Sequence, residues 1–151
     1  MKPVTYSLQF RGVAEQVAPG IFTVRATAPS GALTTILGDD GIRGRYEGAD
    51  GDEALLEARL IVGNDSFEAA GRISFGIKHT LQFGTVSGRF GPTPDKHLRQ
   101  GAAVAEVEGG TGQFAHASGR ITSNFVLSDT GEVTDHQLGV VFVDPARDPG
   151  V

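Results

Sequence analysis

The densest run of side chains able to do chemistry lies late in the chain, in Thr122-Ser123-Asn124 and Thr134-Asp135-His136-Gln137, on either side of Ser128-Asp129-Thr130-Gly131. A turn there makes a hairpin of Gly119 to Ser128 with Glu132 to Val143, which sets Asn124 and Ser123 roughly across from Asp135 and His136. Alternation along each strand then sends half of these side chains inward and half to solvent. His136 shares its parity with Leu138, Val140 and Phe142, so this is the side expected to face inward. An inward imidazole titrates near neutral pH and suits general acid or base work. The plainer reading is a satisfied structural histidine on an apolar face.

Glu106 is the second catalytic candidate. It shares a parity with Val104 and Glu108, whereas Ala103, Ala105 and Val107 take the other side. If the first set faces inward, Glu106 can polarise or deprotonate a bound molecule, with its pKa raised by apolar surroundings. On the outer face, the same glutamate simply discourages strand aggregation. Tyr6 runs with Leu8 and Phe10, and His79 with Leu81 and Phe83, so each offers a polar tip to an apolar cavity or belongs to ordinary core or rim. Tyr6, His79, Phe83, Asn124 and Phe142 are the expected ligand contacts.

Other chemistries find little support. His97 and His116 fall in loop-like segments, and no histidine pair has a metal-binding spacing, so no metal is expected. Asp39-Asp40 and Asp50-Gly51-Asp52 resemble fragments of a calcium loop but lack its full ligand series. There is no Gly-x-Ser-x-Gly elbow and no phosphate-cradling Gly-Lys-Ser or Gly-Lys-Thr.

The elements that must position these residues are strands. Val4 to Gly12, Ile21 to Thr27, Ala32 to Leu37, Ile42 to Glu47 and Phe67 to Phe75 alternate or are β-branched, and Gly, Pro, Asn and Asp clusters separate them. Helix and strand compete only at Glu53 to Val62, which is rich in helix formers. Its even positions, Ala54, Leu56, Ala58, Leu60 and Val62, are all apolar, and that period of two predicts a strand. A strand opening at His79 and another over Ala102 to Glu108 flank a rigid loop, Gly91 to His97, whose two prolines cannot serve a central ladder. About eight or nine strands with consecutive hairpins favour a closed antiparallel barrel over residues 1–143, with 144–151 as a flexible tail.

Composition agrees with a single domain of this kind. The 151 residues are 39% hydrophobic and 21% charged, enough to bury a core without staples, and 22 glycines suit many tight turns. The net charge is −5, with 13 Lys and Arg scattered singly, which argues against nucleic acid. The absence of cysteine excludes disulfides and thiol catalysis and fits a reducing cytoplasm. No apolar leader and no window of 18 apolar residues is present, so no membrane span is expected and the expected location is cytoplasmic.

One segment resembles a known family. Gly109-Gly110-Thr111-Gly112-Gln113-Phe114-Ala115-His116-Ala117-Ser118-Gly119-Arg120-Ile121 is similar to the Gly-Gly-Thr-Gly-x-Phe-x-x-Ala-x-Gly stretch of the allene oxide cyclase and dirigent-like barrels, with the resemblance covering Glu106 to Phe125. It implies an eight-stranded antiparallel barrel in which glycines permit a tight crossing of one end and Phe114 plugs it. It also implies cyclisation or coupling chemistry without metal or organic cofactor, and a homo-oligomer. The cyclase's pocket cysteine has no counterpart here.

These readings together lead to the expectation of a small-molecule-binding barrel acting as a cofactor-independent cyclase or isomerase on an apolar oxygenated metabolite. The alternatives are a non-catalytic carrier or sensor, as in lipocalins, and an assembly module with a filled core.

Overall fold

The computed structural model describes residues 1–147. Ten strands account for nearly all of them: β1 (Lys2–Ala18), β2 (Ile21–Ala28), β3 (Gly31–Gly38), β4 (Gly41–Gly48), β5 (Ala54–Val62), β6 (Phe67–Phe75), β7 (His79–Pro92), β8 (Leu98–Gly110), β9 (Ser118–Ser128) and β10 (Glu132–Val143). Eight of them close into an antiparallel barrel in the order β1-β10-β9-β8-β7-β6-β5-β2. The fold class expected from alternation is therefore the one observed.

Glu53 to Val62 is strand, as its period of two predicts. Ala54 and Leu56 are buried, while Arg59 and Ile61 face water. The helix propensity of this stretch yields to the ladders on both sides, where Ala58 pairs with Val24 of β2 and with Gly71 of β6. On the outer face Glu57 sits 3.4 Å from Arg25 and 3.3 Å from Arg72, across both neighbouring strands.

Three boundaries differ from expectation. β1 runs to Ala18 rather than Gly12, because its first part pairs with β10 and its last part with β2, so a long strand is needed to bridge the two edges. The proline loop is shorter than Gly91 to His97: Gly91 and Pro92 still pair with Gln100 and Arg99 at the end of the ladder, where a missing N–H costs little. The segments expected as the third and fourth strands, now β3 and β4, lie outside the barrel as a separate two-stranded ribbon. They offer no continuous inward face, since Leu33, Leu37 and Ile42 are all exposed.

The core is the barrel lumen. Phe10, Ile73, Leu81, Val141 and Val143 are fully buried inside it. Between β8 and β9 the chain makes a short 3-10 turn, Gly112–Phe114, which carries the glycine motif. Phe114 is buried there and packs 5.1 Å from Phe75, closing one end of the barrel. The expected tail begins with another 3-10 turn, Pro145–Arg147, and residues 148–151 lie outside those described. Among the described residues no helix is long and apolar enough to cross a membrane.

Candidate functional site

The face that each strand turns inward decides which polar groups meet the lumen. On β10 the inward set is Val133, Asp135, Gln137, Val141 and Val143, all buried. The opposite set, Leu138, Val140 and Phe142, is 50%, 37% and 41% exposed. The parity expected for His136 is thus reversed, and the imidazole lies on the outer face with Phe142. Gly139 shows why. A Cβ there would run into the Tyr6 ring, so the glycine lets Tyr6 cross β10 from the inside.

The same reversal holds on the neighbouring strands. Ala105 and Val107 are buried and Ala103 half-buried, which leaves Glu106 exposed on the outside, across the ladder from Arg120. The small alanines keep that wall of the lumen thin. On β9, Ile121, Ser123, Phe125 and Leu127 point inward, and Asn124 is exposed beside its cross-strand partner His136. His136, Glu106, Asn124 and Phe142 therefore do not meet at an interior site.

Tyr6, Phe83 and His79 are placed differently. Phe83 is buried and lines the lumen. Tyr6 packs edge-on against Phe75 at 5.5 Å, inside the barrel. His79 belongs to the plug: its Nδ1 accepts the backbone N–H of Gln113 at 2.9 Å, and a Cβ on Gly112, which has φ +60, would strike the imidazole. That bond leaves Nδ1 as the acceptor and makes His79 the anchor of the 3-10 turn.

The lumen opens into a cavity of about 110 Å³ in the half of the barrel away from Phe114. Its wall is largely apolar, with Leu56, Phe67, Phe83, Ala105, Ile121, Phe125 and Val133 prominent. Half-buried Leu60, Phe125 and Leu127 form its rim, with the Phe67 and Phe125 rings edge to face at 5.6 Å. Thr85, Ser123, Gln137 and Asp135 supply the polarity, and among the described residues Asp135 is the one ionisable side chain of the lining.

Ser123, Asp135 and Gln137 are wired together. The Ser123 hydroxyl donates to Asp135 Oδ1, and Gln137 Nε2 donates to Oδ2 at 3.0 Å. The Tyr6 hydroxyl donates to Gln137 Oε1 at 3.3 Å. Aromatic contacts thus run from Phe114 through Phe75 to Tyr6, and the hydrogen bonds carry on through Gln137 to the carboxyl. Among the described residues no buried side-chain nitrogen or oxygen lacks a partner.

Burial dominates the electrostatics. Asp135 is only 6% exposed, and removal from water raises its pKa above the ordinary aspartate value. The Ser123 and Gln137 hydrogen bonds and the nearby His136 pull the other way without cancelling it. Tyr6 is raised as well, first by burial and then by the Asp135 charge. A carboxyl held this way, facing an apolar cavity, can accept a proton, return it, or hold a charged partner.

Ser123 and Asp135 stand in the polar hairpin that the sequence singles out, yet alternation alone favoured the wrong side of it. Gly139 was the available signal, because a glycine within an apolar strand marks the face across which another side chain passes. Among the described residues no three His, Asp or Glu side chains converge as a metal site requires. No protein-family model, curated protein or solved structure matches the chain.

Proposed function

We propose that the protein binds one small, largely apolar molecule in the barrel lumen, with the polar end of that molecule directed at Asp135. One observation carries the reading: an apolar cavity whose single ionisable side chain is a buried carboxyl. Binding sites are typically concave and mostly apolar with a few convergent polar groups, and this cavity has that make-up. Apolar cavities of about 150 Å³ take a benzene-sized molecule, so the occupant is of that order or extends through the rim.

The chemistry proposed is a cofactor-independent isomerisation or cyclisation. Asp135 takes a proton from one atom of the bound molecule and returns it to another, while Ser123 and Gln137 hold the carboxyl in place. This role replaces the one expected of His136 and Glu106. The kinship proposed with the allene oxide cyclase and dirigent-like barrels rests on the Gly109 to Ile121 motif. A carrier that holds its ligand without turnover uses the same lumen.

Native mass spectrometry of freshly purified protein, compared with a denatured sample, tests the reading. A reproducible extra mass is expected, and it should vanish in Ala105→Leu, which extends a side chain into the cavity. An extra mass that persists in Ala105→Leu would place the ligand elsewhere.

A further inference from the structure

The polar end of the ligand can be specified further, on the condition that the lumen is the binding site. Asp135 receives two hydrogen bonds, one on each carboxyl oxygen, and both come from neutral donors, Ser123 and Gln137. Both contacts can be made with the carboxyl acting only as acceptor. Each oxygen keeps a further lone pair. Buried charges are ordinarily paired, because neutral donors repay only part of the cost of removing the ion from water.

Among the described residues the cavity wall contains no Lys, Arg or His. From β1 the titratable side chain facing the cluster is Tyr6, and from β9 the contribution is the Ser123 hydroxyl. His136, next in sequence to Asp135, lies on the other face of β10. The barrel therefore presents a buried carboxyl, its hydrogen-bonded support and an apolar wall, and the described lining holds no counter-charge.

We infer that the lumen selects a small organic cation, a protonated amine with a compact hydrocarbon body, whose N–H group completes the coordination of Asp135 while its carbon skeleton lies against Leu56, Phe83 and Ile121. A charge-assisted hydrogen bond in this water-poor setting is stronger than one between neutral groups. A neutral alcohol of the same shape would fill the same space without supplying the charge.

The test compares cyclopentylamine with cyclopentanol at pH 7, followed by the NMR shifts of the methyl groups of Leu56, Ile121, Leu127 and Val133, with Leu138 and Val140 on the outer face as controls. The amine is expected to shift the lumen methyls and to bind about tenfold or more tightly than the alcohol, as one charge-assisted bond implies. In Asp135→Asn that preference is expected to fall close to unity. Equal affinity of the two probes, or a preference that survives in Asp135→Asn, would overturn the cation and leave the lumen as a binding site. Failure of both probes to shift the lumen methyls would overturn the binding reading itself, and the cation with it.

Discussion

Replacing Ser123 by Ala removes one of the two hydrogen bonds that hold Asp135, and its effect should depend on pH. A hydrogen bond to a charged group contributes about 1.5–3 kcal/mol, against roughly 0.5–1.5 for a neutral pair. For a chain of this length each kcal/mol is worth about 2–4 °C in Tm. Once the pH has risen through the raised Asp135 midpoint, Ser123→Ala should lower Tm by about 3–12 °C. Below that midpoint, with the carboxyl protonated, the loss should be about half as large.

The underlying linkage has a definite sign. Burial raises the Asp135 pKa, so the folded chain holds this proton more tightly than the unfolded chain. That contribution is fully present below the unfolded value and is lost as pH rises through the folded one. Asp135→Asn carries no such proton, so its stability relative to the natural protein should increase with pH over that window. Differential scanning calorimetry of the natural chain, both single variants and the double variant on either side of that midpoint reads all of this as a thermodynamic cycle. A Ser123→Ala effect that does not change with pH, or is unchanged in the Asp135→Asn background, would refute a titrating carboxyl at this position.

Other consequences follow from the inward and outward faces. His136→Ala and Glu106→Gln alter outer-face side chains, so each should change stability by no more than about 0.5 kcal/mol and leave any retained lumen ligand in place by native mass spectrometry; loss of the ligand in either would contradict the placement. Phe114→Ala removes the buried plug and should cost about 3–5 kcal/mol in urea unfolding. A cost below about 1 kcal/mol would mean that the barrel end closes without the ring.

The architecture was readable because a period of two survives even where propensity opposes it. Glu53 to Val62 is the clearest case, with every even residue apolar despite its helix formers. The extent of β1 was not readable, since the chain past Gly12 loses strict alternation, and only the need to bridge two neighbouring strands accounts for its length. The site was half readable. Both faces of β10 are apolar over its second half, with Leu138, Val140 and Phe142 outside and Val141 and Val143 inside, so hydrophobicity could not say which side was the lumen.

What decided the matter is a relation between strands. Tyr6 passes over Gly139, and the alanines of β8 face the same space, which commits Asp135 and Gln137 to the interior. A buried carboxyl also runs against the ordinary preference for polar residues outside. Ser123 meets it across the β9–β10 hairpin, whereas Tyr6 joins through Gln137 only when β1 pairs with β10.

The chemistry assigned to the barrel rests on one carboxyl kept from water inside the lumen, and its titration tests that most directly. Carbon-detected NMR of the aspartate carboxyls across pH, with Asp135 assigned by its absence in Asp135→Asn, reads the midpoint of that group alone. A midpoint displaced above the ordinary aspartate value of about 3.9 is the expected result. A midpoint at or below that value would mean that Asp135 is solvated or paired, and the lumen would lose the group on which its proposed chemistry depends.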